Sequence, residues 1–206
     1  MNIMVLDVEL NQPSRKVIQI GAAVFNARNA ALIERLELYV NPDEPIDPFI
    51  TDLTGIKDSD VQSGVSITEA YEELKRLHKK HKCFRNPMVW GSGYRNDSMA
   101  IYQEYRKSIG QGEDTDIQQT DNFMGFRVID VKTIYQSVAI FENSQYAGGL
   151  KDCMKRLGLE FEGDAHRALT DAINTFRIWY HLMRIFHDGK TAQKSRKIKR
   201  THGTAS

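Results

Sequence analysis

Two acids stand two positions apart in an apolar run near the start of the chain, Ile3-Met4-Val5-Leu6-Asp7-Val8-Glu9-Leu10. In a β-strand, side chains at i and i+2 leave the same face, so Asp7 and Glu9 can converge on one cation. Two carboxylates on one face repel unless they reach solvent or a cation, and hard oxygen ligands suit Mg²⁺ or Mn²⁺. Taken alone, the pair reads equally as a solvent-facing strand end. Asp171 lies beside the apolar stripe of the last helical segment, and His166 falls five positions earlier, near the expected helix start, with Asp164 as its candidate N-cap. In isolation His166 reads as a surface or capping histidine. Asp97 reads as an acid in the first turn of the helix after Trp90-Gly91-Ser92-Gly93.

The elements that must position these residues follow from periodicity. Strand-like runs over 3–10, 16–26 and 33–40 are joined by short polar connections, which suit an antiparallel meander. Ser66 and Glu69 have capping-box spacing, and Ile67, Ala70, Tyr71, Leu74 and Leu77 recur at helical intervals, predicting a helix over 67–82. Runs at 88–91 and 126–129 each precede a helical pattern, as strands entering parallel crossovers do. Leu169, Ala172, Ile173, Phe176, Trp179, Met183 and Phe186 form the stripe of the last helix, which should bury against the sheet. A polar stretch lies between Gly110 and Gly125, as long as loops that act as lids or stay disordered.

Composition narrows the class. With 206 residues, 41% hydrophobic and 27% charged, the chain suits one soluble globular domain. The longest apolar run, from Val17 to Phe25, falls short of the ~18 residues of a membrane span and contains Gln19. The first residues lack the basic leader of a signal peptide, so a cytoplasmic location is expected, in a host cell if the gene is a phage's. Cys83 and Cys153 stand apart, without disulfide or zinc spacing. Net charge is only +1, yet Lys190, Lys194, Arg196, Lys197, Lys199 and Arg200 occur with no intervening acid. The expected division is therefore a domain over 1–189 and a basic, flexible tail over 190–206.

Other polar groups weigh less. Asp58, Asp60, Gly64 and Glu69 superficially resemble a calcium loop, but the glycine is one position late and Gln62 replaces an acid, which favours a capping turn. His78 and His81 lie among Lys75, Arg76, Lys79, Lys80 and Lys82, a solvated basic face. Asp130 precedes a helical run as an N-cap would.

In combination, Asp7-x-Glu9 on the first strand, Asp97 after the fourth and His166-x4-Asp171 on the last helix resemble the DEDDh 3′-to-5′ exonuclease superfamily. His166-Arg167-Ala168-Leu169-Thr170-Asp171-Ala172 is similar to its third motif, and Thr54-Gly55-Ile56 to its threonine-glycine-isoleucine turn. Trp90-Gly91-Ser92-Gly93, leading to Asp97, is similar to the second motif of some phage and bacterial members. Two departures stand out: Leu10-Asn11 where many members have threonine, and Asn96 where many have an aromatic before the second aspartate.

The resemblance implies an α/β, RNase H-like fold, a five-stranded mixed sheet flanked by helices. It implies two divalent ions, Mg²⁺ or Mn²⁺, bridged by Asp7, with Glu9 and Asp171 completing one site and Asp97 supporting the other. His166 would be the general base, Leu10 and Asn11 would contact substrate, and nucleoside 5′-monophosphates would be the products. The implied partners are 3′ ends of single-stranded DNA or RNA. Likeness to phage and proofreading members favours DNA; an exoribonuclease and a non-catalytic nucleic-acid-binding module are the alternatives.

Overall fold

The computed structural model describes residues 1–91, 96–111, 122–144 and 148–202, with side chains as far as 189. Most of the polar stretch between Gly110 and Gly125 and the basic side chains from Lys190 onward lie outside the described residues.

Three long strands come first: β1 (Asn2–Leu10), β2 (Val17–Asn26) and β3 (Leu32–Tyr39), each antiparallel to the next. Three helices follow, α1 (Pro48–Thr54), α2 (Asp58–Gln62) and α3 (Ile67–Lys80). Then come β4 (Met88–Val89), α4 (Asp97–Ser108), β5 (Ile129–Asp130), α5 (Val131–Phe141), α6 (Leu150–Arg156) and α7 (Ala168–His202). Strand order is β3-β2-β1-β4-β5, and β4 and β5 join β1 in parallel after helical crossovers.

The register of β1 sorts its residues between two layers. Met4 and Leu6 pack on α3 and α4, against Ala70, Tyr71, Leu74 and Ile101. Ile3 and Val5 face α5, α6 and α7, against Tyr135, Met154, Phe176 and Ile178. By the same alternation Asp7 and Glu9 continue the α7 side. β2 is buried from Val17 to Phe25, as expected of a strand covered on both faces, and Phe25 stacks on Phe176 with centroids 3.9 Å apart. Each fully buried apolar side chain of this kind contributes about 1.5–3 kcal/mol.

Local chemistry sets the boundaries. Ser66 and Glu69 form the capping box of α3, Asp130 caps α5 by accepting from Thr133 N–H, and Gly55 ends α1 at φ 74°. Thr54 Oγ1 donates to Ile50 O and accepts from Ile56 N–H, which explains the threonine-glycine-isoleucine turn. Asp58 accepts from Ile46 N–H and Asp60 from Lys57 N–H, so these acids serve turns.

The structure corrects several boundaries. β4 is shorter than its apolar run, and β5 is Ile129–Asp130 instead of 126–129, pairing with Met88 and Val89. The last helix begins at Ala168, two residues after His166, and Asp164 does not cap it. Its 35 residues span about 52 Å, against about 30 Å for the 9-residue β1, so α7 overruns the sheet and leaves Phe186 59% exposed. The expected boundary at 189 falls inside this helix, whose backbone continues to His202.

Candidate active site

Four carboxylates from three elements meet at the C-terminal half of β1. Asp7 and Glu9 point from β1 toward α7, Asp97 is the first residue of α4, and Asp171 lies in the first turn of α7. Asn96 caps α4 by accepting from Met99 N–H, so the residue that departs from the common pattern has a structural task and Asp97 need not be the cap. Ligand atoms of Glu9, His166 and Asp171 lie within 4.8 Å of one another. Glu9, His166 and Asp171 form one cluster, and the charges of Asp7 and Asp97 act on its acids and on each other.

The electrostatics are those of crowded acids. Burial raises Asp7 well above the usual carboxylate range, and the charges of Asp97, Asp171 and Glu9 raise it further. Burial and the Asp171 charge push Glu9 up to about 7 against the opposing pull of Arg167. Asp97 is pushed up to about 8 by burial and by Glu9. Burial also raises Asp171, partly offset by the His166 N–H that donates to its Oδ2 at 3.3 Å. The other oxygen, Asp171 Oδ1, is buried and accepts no hydrogen bond among the described residues. An orphaned buried carboxylate oxygen amid mutually repelling acids fits a divalent cation.

This charge state has a measurable consequence. The acids bind protons more tightly folded than unfolded, so without divalent cations their contribution is complete below about pH 4 and is lost as pH rises through about 7 and 8. Thermal unfolding of chelated protein is therefore expected to move to lower temperature between about pH 5 and pH 8. At about 100 times Kd, Mg²⁺ should stabilise by about 2.7 kcal/mol, or about 5–11 °C for a domain of this size, and more at the alkaline end. A melting temperature indifferent to Mg²⁺ at the alkaline end would contradict the cation site.

The turn that delivers His166 is built without a conventional cap. His166 is exposed and holds φ 61°, a left-handed conformation uncommon for histidine. Gln19 Oε1 accepts from Ala168 N–H at 3.0 Å, and Arg167 Nη1 donates to Tyr39 Oη at 3.1 Å. Motif spacing gives no role to Gln19, Gly21 or Tyr39, nor to Arg167, although Arg167 lies within the His166–Ala172 segment. Gln19 did carry a signal, as the single polar side chain in the run from Val17 to Phe25.

The two substrate-contact candidates part company. Leu10 is half-buried and lines a cleft of about 480 Å³ with Lys16, Ile67, Ala100, Glu104 and Lys107. Asn11 is only 1% exposed; its amide nitrogen donates to Glu44 and Pro45 O, and its oxygen accepts from Asp47 N–H. The expected contact of Asn11 with substrate is thus corrected: its side chain ties the β1–β2 turn to the segment before α1.

A mixed sheet of order 3-2-1-4-5, three strands antiparallel and two parallel, with carboxylates gathered at the end of its central strand, is an RNase H-like nuclease fold. The exonuclease family model RNase_T matches residues 4–179, and the chain belongs to that family. Among curated relatives, ERI1 exoribonuclease 2 of Xenopus laevis is 24% identical over 182 residues, 80% of this chain and 25% of that protein. The 3′-5′ exonuclease DinG of Bacillus subtilis is 37% identical over 78 residues, 36% of this chain and 8% of that protein. The chain thus spans a quarter or less of the length of these relatives. The nuclease domain of 3′hExo, a DEDDh family member solved bound to rAMP, superposes with a TM-score of 0.66 at 16% identity, covering 91% of this chain and 92% of that one. No described helix is long and apolar enough to cross a membrane.

Proposed function

We propose that this protein removes nucleotides one at a time from the 3′ end of single-stranded nucleic acid, releasing nucleoside 5′-monophosphates. The observation that carries this reading is the cluster of Glu9, Asp171 and an exposed His166, with Asp7 and Asp97 near enough for their charges to act on the same acids and one buried Asp171 oxygen without a partner among the described residues. The structure of S. pombe Pop2p, which shares the fold, is a form bound to Mg²⁺ and Mn²⁺, and this supports divalent metal ions here. Asp7, Glu9, Asp97 and Asp171 would hold two such ions, Mg²⁺ or Mn²⁺. Bound there, the ions offset charge on the attacked phosphate and make the attacking water more acidic.

The chain's own groups do the rest. His166 takes a proton from the attacking water at an imidazole nitrogen, the water oxygen bonds to phosphorus as the phosphorus–O3′ bond breaks, and the departing O3′ takes a proton from solvent to become the new 3′-hydroxyl. The His166 N–H to Asp171 Oδ2 bond fixes the turn from which the ring projects. Leu10 follows Glu9 in β1 and would offer a base an apolar edge beside the site; the cleft it lines with Lys16 and Lys107 includes none of the four carboxylates or His166.

For the sugar, one relative, matching over 80% of the chain, is an exoribonuclease, which supports RNA as substrate beside the DNA suggested by sequence motifs. Oligonucleotides of both sugars, labelled at either end and incubated with Mg²⁺ or Mn²⁺, provide the test. The expected result is immediate release of a 3′ label as mononucleotide and a shortening ladder from a 5′ label. Internal cuts, or no cleavage of either sugar, would overturn the reading; the faster substrate assigns the sugar.

A further inference from the structure

The strand beside β1 determines where the catalytic helix sits. In the β1–β2 register Gln19 stands opposite Glu9, and Gly21 opposite Asp7. Above these two residues lies the start of α7, and both touch its backbone. A Cβ added at Gly21 would stand 2.0 Å from Leu169 N, 2.1 Å from Ala168 C and 2.4 Å from Ala168 O. No side chain fits there, because what it would meet is backbone of a helix that is itself packed through Ala172 and Phe176.

Gln19 acts on the same turn by hydrogen bonding. It is fully buried, and its Oε1 accepts from Ala168 N–H, a donor of the first turn of α7 that is buried with its residue. Its Nε2 donates to Glu37 Oε1 at 3.0 Å, which fixes the orientation of the amide so that the oxygen faces the helix. One residue therefore allows the close approach, and the other fixes the height of the turn along the strand.

We propose that Gln19 and Gly21 are positioning residues that seat the first turn of α7 level with Glu9 and Asp7, and so bring His166 and Asp171 to the cation site. The inference rests on the proposed cation-dependent exonuclease reading, since it names what aligns that site. Neither residue touches the reacting atoms. A methyl group at position 21 must push α7 off the sheet, which separates Asp171 from Asp7. Leucine at position 19 keeps the volume but removes the acceptor, leaving Ala168 N–H buried without a partner and the turn free to shift.

The test compares wild type, Gly21→Ala, Gln19→Leu and Leu74→Ala. Leu74 is a fully buried residue of α3 in the opposite layer, so its variant destabilises without touching α7. Mn²⁺ affinity is read by calorimetry, and single-turnover cleavage is read alongside, at a temperature where circular dichroism shows each variant folded. Gly21→Ala and Gln19→Leu are each expected to weaken Mn²⁺ binding by about 10- to 100-fold, the usual effect of disturbing groups that orient metal ligands. Cleavage should slow by about 100-fold, as a displacement near 1 Å does, with KM little changed. Leu74→Ala should lose melting temperature but keep wild-type Mn²⁺ affinity.

Should Gly21→Ala not fold, Gln19→Leu carries the comparison. Wild-type Mn²⁺ affinity and rate in a folded Gly21→Ala or Gln19→Leu, or an equal loss in Leu74→Ala, would overturn the proposal. A wild type that binds Mn²⁺ yet cleaves nothing would instead sink the exonuclease reading, while the affinity comparison would still report on positioning.

Discussion

Asp7→Asn is expected to leave the protein folded and to slow cleavage by about 10³-fold or more, the equivalent of several kcal/mol of lost charge stabilisation. The substitution preserves volume and removes one charge from the most crowded position of the site, where Asp97, Asp171 and Glu9 all act on the same carboxyl. For the same reason it should stabilise the metal-free protein. Burial and three neighbouring acids oppose ionisation of Asp7, and an amide has no proton to lose. The sign follows from linkage: a carboxyl raised in the folded state stabilises when protonated and ceases to do so as pH climbs. Chelated Asp7→Asn should therefore melt above chelated wild type near pH 8, by about 2–4 °C for each kcal/mol relieved. Adding Mg²⁺ should reverse the order, because the variant binds it less well. Single-turnover cleavage at saturating substrate and Mg²⁺, together with melting curves in chelator, measures both effects. A variant that cleaves at near wild-type rate would remove Asp7 from the site.

His166→Ala should lower the turnover rate by about 10²- to 10⁴-fold, the usual contribution of a positioned general base, while leaving the carboxylates in place. The ring is exposed at the mouth of the site, and the bond holding its turn, from His166 N–H to Asp171 Oδ2, belongs to the backbone and survives the substitution. Alanine at φ 61° carries a strain of about 1–2 kcal/mol, whereas asparagine adopts this conformation readily. His166→Asn thus separates two effects: it should be nearly as slow as His166→Ala but closer to wild type in melting temperature. If His166 instead serves as a cation ligand, as its distance from Glu9 and Asp171 permits, calorimetry will show weakened Mg²⁺ binding in proportion to the lost rate. Wild-type rates in both variants would exclude it from the chemistry.

Much of this protein is local in its sequence. The i, i+2 spacing of Asp7 and Glu9 determines by itself that both leave one face of a strand, since the period of a strand is two whatever surrounds it. Helical spacing from Ile67 to Leu77 and the Ser66–Glu69 capping box placed α3, because both are contacts within a few residues. Motif order was enough to name Glu9, His166 and Asp171, which the fold then brings within reach of one another.

Tertiary structure decided what depends on partners far along the chain. β5 was displaced from its apolar run because Met88 and Val89 select the residues that pair with them. Asn11 was withdrawn from the substrate because Glu44, Pro45 and Asp47, more than thirty residues away, take up its amide. The start of α7 could not be read from Asp164, since its first donors are met by Gln19, 149 residues earlier, and by a carboxylate of the helix itself. A capping pattern can be recognised when donor and acceptor lie within one turn of each other. When the acceptor arrives from a neighbouring strand, only the packed sheet brings the two together, and here that packing sets the distance between the histidine and the carboxylates.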